Sequence, residues 1–82
     1  MKAPSAGFRI KNYRGFASIA EAAAVGASVA HPWVILDDQD GGRVVWSGKT
    51  AKGARTAHYR LAVERLTGKP VSYQQARRAG NA

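Results

Sequence analysis

Alternation of apolar and polar positions predicts three strands. Phe8 and Ile10 alternate with basic residues, which is the period of a half-buried strand. Residues 33–36 and 43–46 are short runs of strand-forming residues, separated by a segment rich in Asp and Gly. Because those residue types favour turns, the two runs predict a β-hairpin with a loop somewhat longer than two residues.

Two longer segments have helical patterns. Ser18 and Glu21 have the spacing of a capping box, and the alanine-rich stretch after them predicts a first helix that reaches Ala30 before Pro32. Residues 51–66 predict a second, longer helix with two apolar stripes. The larger stripe consists of Tyr59, Ala62, Val63 and Leu66, and the smaller one, on the opposite side, of Ala54, Ala57 and Leu61.

Capping residues in the C-terminal part of the chain complete the predicted fold. Gly68 is placed to end the second helix, and Ser72 with Gln75 repeats the capping pattern before a short helix over residues 73–79. The element order is then β-α-β-β-α with a short C-terminal helix. We expect one α+β domain over residues 1–82, with a three-stranded sheet, two helices on one face of it and flexible ends at 1–7 and 80–82.

Composition limits the class of protein. The chain has 82 residues and no cysteine, so its core has no disulfide or cysteine-bound zinc to support it. Its longest apolar runs are far shorter than the roughly 20 residues that cross a bilayer. Residues 1–7 have no apolar segment of the secretory type. These features predict a cytoplasmic protein without a membrane partner.

The positive charge is concentrated in the second half of the chain. The formal net charge is +8 at pH 7. Residues 1–42 carry four bases and four acids, whereas residues 43–82 carry nine bases and one acid, Glu64. Such asymmetry indicates a polyanionic or acidic partner.

Three of these cations surround the predicted start of the second helix. Lys49, Lys52 and Arg55 lie where the helix dipole favours acids rather than bases. Cations beside unbonded helix-start amides suit a phosphate, which predicts contact with a DNA or RNA backbone. Other cations would extend that surface, and Tyr73 would stack on an unpaired base. The additional cations are Arg60, Arg65, Arg77 and Arg78.

A protein partner is the alternative. In size and element order the chain resembles small phage and mobile-element proteins, which implies docking on a host protein or nucleoprotein complex to modulate or inhibit it. A hairpin that ends in Gly48 and leads into a helix also resembles the arm-binding domain of integrases. There, three consecutive strands precede the helix, so no functional residue is carried over. Candidate anchors for a protein are Trp33, Trp46, Leu61 and Tyr73, although both tryptophans also suit the core.

The segments that resemble catalytic or metal-binding motifs do not have the residue spacing that those motifs require. Gly48, Lys49 and Thr50 end like a phosphate-binding loop, but the first glycine of that motif would fall at Arg43. The three aspartates of the hairpin loop lack the glutamate that completes a calcium loop. His31 and His58 have no further ligand at metal spacing. We therefore expect a binding protein with no enzymatic activity, cofactor or metal.

Overall fold

The computed structural model describes residues 6–80 and confirms the predicted α+β class and element order. The expected flexible ends fall largely on residues 1–5 and 81–82, which lie outside the described residues. Two short 3-10 segments, Tyr13–Gly15 and Asp38–Asp40, connect the main elements. The main elements are β1 (Phe8–Asn12), α1 (Ile19–Ala24), β2 (Trp33–Asp37), β3 (Arg43–Gly48), α2 (Ala51–Thr67) and α3 (Tyr73–Gly80).

The three strands form one antiparallel sheet in the order β1-β2-β3. Ile10 lies opposite Ile35, and Ile35 lies opposite Trp46, so these side chains share one face. The next pair along is Leu36 with Val44, which leaves Val45 as an extra residue in β3. This bulge lets both Val45 and Trp46 reach the same core cluster.

Each face of the sheet has its own cluster of buried residues. Alternate residues of β2 point to opposite faces, and Val34, Ile35 and Leu36 are all buried. On one face, Val34 and Leu36 pack with Ala22 of α1 and Ala27 just beyond it. On the other face, the buried cluster joins the sheet to α2 and consists of Phe8, Ile35 and Ala62.

Helices α1 and α2 therefore lie on opposite faces, and the expectation that both would pack on one face is wrong. The reason lies in β2, whose run Trp33-Val34-Ile35-Leu36 has no polar position. A strand without polar positions is typical of burial on both faces. Within α1, Ala22 is buried against this face, whereas Ala20, Ala23 and Ala24 are exposed.

Helix α1 ends earlier than the alanine-rich pattern predicts. Gly26 adopts a left-handed φ of 84°, and its N–H bonds the carbonyl of Ala23. The Ala27 N–H bonds the carbonyl of Ala22, which completes a Schellman ending. Gly26 thus terminates the helix, and the chain from there to Pro32 is irregular.

The ends of α2 follow their sequence signals. The Thr50 hydroxyl accepts from the Gly53 N–H at 3.0 Å, and Gly68 is left-handed with its N–H on the Glu64 carbonyl. Both stripes contribute to the contact with the sheet, since Ala62 of the larger stripe is fully buried in the cluster with Phe8 and Ile35, and Ala57 and Leu61 of the smaller stripe pack against that cluster. At the C-terminal end of the larger stripe, Leu66 is 62% exposed, so this end of the stripe does not pack against the sheet.

Helix α3 is confirmed where the capping pattern predicts it. The Ser72 hydroxyl accepts from the Gln75 N–H at 3.2 Å, and the Gln75 side chain accepts from the Ser72 N–H at 3.3 Å. The helix packs against α2, and Ala76 is fully buried. These contacts fix α3 to α2.

Candidate functional site

Ion pairs divide the cations of the chain into two groups. Within residues 6–80, four acids are each paired with an arginine, and the fifth acid, Glu21, lies on α1. The cations outside these pairs are therefore the ones available to an external anion. The four pairs are Arg9–Asp38 at 3.2 Å, Arg43–Asp40 at 2.9 Å, Arg60–Glu64 at 3.4 Å and Arg65–Asp37 at 2.6 Å.

The pair between Arg65 and Asp37 links α2 to the sheet. Asp37 is only 3% exposed, and both of its oxygens accept from the Arg65 guanidinium, at 2.8 and 2.6 Å. The guanidinium also lies 4.0 Å from the centre of the Phe8 ring and donates to the carbonyl of Ala6. The guanidinium of Arg65 is therefore engaged by a carboxylate, an aromatic ring and a backbone carbonyl.

Arg65 also sets the protonation state of Asp37. The hydrogen bonds from Arg65 hold the pKa of Asp37 below its usual value, against the opposing effect of burial, and the Gln39 N–H adds to the lowering. The carboxylate therefore stays charged and paired. Arg65 was expected to contact phosphates, but its guanidinium has a structural role, and we remove it from the candidate site. Arg60 remains exposed but is already paired with Glu64.

Lys49, Lys52 and Arg55 are exposed around the beginning of α2, as the sequence indicates. Lys52 and Arg55 are one helical turn apart and share a face. The first turn contains no acid, and none of the ion pairs in the described part of the chain involves these three residues. Their charge is therefore not neutralised by an ion pair within residues 6–80.

Arg77 and Arg78 are the other exposed cations of the candidate site. They lie in the last turn of α3, where the helix dipole favours positive charge. Neither takes part in an ion pair among residues 6–80. Their position has a structural explanation that the cations at the start of α2 lack.

A groove of about 540 Å³ lies between β3, α2 and Tyr73 at the start of α3. Its apolar walls include Val45, Trp46, Ala57 and Leu61. The charged residues on its rim, Arg60 and Glu64, are paired with each other. The groove thus offers a mainly apolar, aromatic-lined surface beside the cations of α2.

Two glycines make room for the Trp46 ring in this groove. A Cβ built on Gly48 would meet the six-membered ring of Trp46 at 2.2 Å, and one built on Gly53 would meet it at 3.5 Å. The six-membered ring of the indole therefore lies close to Gly48 at the end of β3 and to Gly53 in the first turn of α2. The spacing of Trp46 and Gly48 explains this close approach, because residues two apart in a strand share a face.

The four expected anchor residues do not form one exposed patch. Trp33 is half-buried on the same sheet face as Ile35, and Trp46 and Leu61 pack against the core cluster of that face. Tyr73 is 62% exposed. Trp46, Leu61 and Tyr73 meet at the groove, so the structure brings three of the four together.

His58 has a structural contact rather than a visible catalytic partner. Its Nε2 lies 3.0 Å from the carbonyl oxygen of Phe8, which bonds α2 to β1 when that nitrogen is protonated.

Across residues 6–80, acidic and histidine side chains form no group of three that would hold a metal ion. None of the helices in that range has the length and apolar character needed to span a bilayer. Comparison with protein-family models, curated proteins and solved structures gave no match to this chain.

Proposed function

We propose that this protein is a non-catalytic binding module that holds nucleic-acid phosphates against the beginning of α2. The observation that supports it best is the exposed, unneutralised set Lys49, Lys52 and Arg55 at a helix N-terminus without an acid in its first turn. Natural helices favour the opposite charge there. A phosphate at this position turns an unfavourable arrangement into a favourable one.

The backbone of α2 adds to the attraction. Thr50 satisfies the Gly53 N–H, which leaves the N–H groups of Ala51 and Lys52 directed out of the helix start. Those amides and the partial positive charge of the helix end act on the same anion as the side chains. One phosphate on the helix start and its neighbours on Lys52 and Arg55 would form a short track.

Helix α3 extends the proposed track. Helix α3 packs against α2 after a short connection, which favours an antiparallel arrangement of the two helices. In that arrangement the last turn of α3 would approach the first half of α2. Arg77 and Arg78 would then add two cations to the same side of the domain. Arg60, already paired with Glu64, contributes less, and Arg65 contributes nothing.

The proposal is tested by binding of labelled duplex DNA, single-stranded DNA and single-stranded RNA at low salt, followed by fluorescence anisotropy. The variant Lys52→Gln/Arg55→Gln should lower affinity about tenfold or more, since each lost phosphate contact weakens binding. The matched control is Arg9→Gln/Arg43→Gln, which removes the same charge from two exposed arginines that pair with acids of the hairpin loop. Equal affinity of both variants, or flat titrations for all three nucleic acids, would exclude the proposed interface.

An acidic protein or nucleoprotein surface is the second candidate. The observation that favours it is the exposure of large apolar side chains, with Ile19 at 74%, Val29 at 81% and Leu66 at 62%. A tagged protein is incubated with lysate that has been treated with nuclease. Loss of every bound component after that treatment favours nucleic acid, whereas a specific protein retained by wild type and lost with Lys52→Gln/Arg55→Gln favours the second candidate.

A further inference from the structure

We infer that the groove between β3 and α2 receives an unpaired base, so that the preferred ligand is single-stranded nucleic acid. This inference rests on the proposed function and names its substrate class. The groove is large enough for a planar ring system, at about 540 Å³. Its aromatic residues, Trp46 and Tyr73, belong to different elements, β3 and α3.

Charge distribution selects a ligand with an apolar, aromatic part and an anionic part. The groove itself is close to neutral because Arg60 and Glu64 on its rim are paired with each other at 3.4 Å. Thr56 forms part of its wall, and the unpaired cation Lys52 lies one helical turn before it on the same side of α2. A nucleotide has the matching form, with a base for the groove and a phosphate for the cations.

A single-stranded ligand fits this arrangement better than a duplex. In a duplex the bases are stacked and paired, so a base reaches a side groove only after it is unstacked. In a single strand the base faces are exposed and stack on aromatic side chains, while the backbone follows a basic surface. Tyr73 is 62% exposed and lies one turn before Arg77 on α3, which places a stacking surface next to a cation.

The test compares two oligonucleotides of equal length, one of thymidines and one with abasic sites throughout. Both carry the same phosphates, so a difference in affinity reports on the bases. We expect the thymidine oligonucleotide to bind about tenfold more tightly, in line with one stacked base. Tyr73→Ala should remove that difference, and Tyr73→Phe should keep it because the ring remains.

Leu66→Ala is the control, because Leu66 is as exposed as Tyr73, at 62%, but lies outside the groove. It should leave both affinities unchanged. If both oligonucleotides bind equally, the groove does not take a base and the inference is overturned, while the phosphate interface stands. The two oligonucleotides would also bind with equal affinity if the groove accepts a protein side chain instead of a base. If Tyr73→Ala weakens both oligonucleotides alike, Tyr73 only positions α3 and the inference is again overturned. If neither binds, the proposed function fails as well.

Discussion

Substitution of Gly48 by alanine tests the packing that shapes the groove. The new Cβ would lie 2.2 Å from Cη2 and 2.5 Å from Cζ2 of Trp46. Carbon atoms in contact are normally about 3.5–4.0 Å apart, so the indole must move by more than about 1 Å. Gly53 lies near the same two ring atoms, since a Cβ built there would be 3.5 Å from each of them.

The expected loss of stability follows from two opposing effects. Forcing a side chain out of a packed position costs about 1–3 kcal/mol. Replacing glycine restricts the unfolded chain and returns about 0.4–1 kcal/mol. Gly48→Ala should therefore lower the free energy of unfolding by about 1–2 kcal/mol.

Gly15→Ala is the matched control. The nearest atoms to a Cβ at Gly15 are 3.7 Å away, on the flexible side chain of Lys11, and its φ lies outside the left-handed region. The same substitution there should be neutral or stabilise by up to about 1 kcal/mol. The free energy of unfolding is measured by urea denaturation, with tryptophan fluorescence as the signal.

A third variant assigns the effect to the ring. In a Trp46→Leu background the indole is absent, so Gly48→Ala should lose most of its cost. Equal stability of Gly48→Ala and Gly15→Ala would refute the position of the ring over β3. The same result would remove the structural basis for a groove wall formed by Trp46.

Three further predictions concern the elements that hold the site in place. Arg65→Met should reduce stability at neutral pH, because Asp37 stays buried without its partner. The wild type loses the contribution of this pair as pH falls below about 4, since the pKa of Asp37 is lowered in the folded state, and the variant should lose less stability over the same range. A pH series of urea denaturations measures both effects. Gly26→Ala should cost about 1 kcal/mol, since the residue must keep a left-handed φ but meets no neighbour, and no loss in the same assay would contradict the Schellman ending of α1. Ser72→Ala should lower stability by about 1 kcal/mol because it removes the cap of α3. Relative to the wild type, amide hydrogen exchange of the variant should become faster in α3 and change less in α2. Exchange in α3 that is the same in variant and wild type would argue against the capping box.

Local signals in the sequence predicted most of the secondary structure. Gly68 and Ser72 each act through a hydrogen bond or a backbone angle within a few residues, and each predicted boundary of α2 and α3 agrees with the structure within one residue. Gly26 was the exception. A glycine inside an alanine-rich stretch is compatible with either a helix interior or a left-handed ending, and the contact of the following segment with the sheet decides between them.

Long-range packing explains the features that the sequence analysis missed. The layering of α1 and α2 depends on which faces of β2 are buried, and the continuous apolar run of β2 was the available signal. The role of Arg65 had a signal as well, because Ala54, Leu61 and Arg65 share one helical face. A cation on a face that packs on a sheet needs an acid opposite, and Asp37 at the end of β2 meets that need.

The salt dependence of binding to single-stranded DNA tests the central claim most directly, which is that the cations at the start of α2 neutralise phosphates. Affinity is measured between about 50 and 200 mM salt for wild type, Lys52→Gln/Arg55→Gln and Arg9→Gln/Arg43→Gln. We predict that loss of Lys52 and Arg55 makes the slope of log affinity against log salt shallower by about 1.4, or about 0.7 per phosphate, while the control keeps the wild-type slope. Equal slopes for the three proteins would contradict the claim.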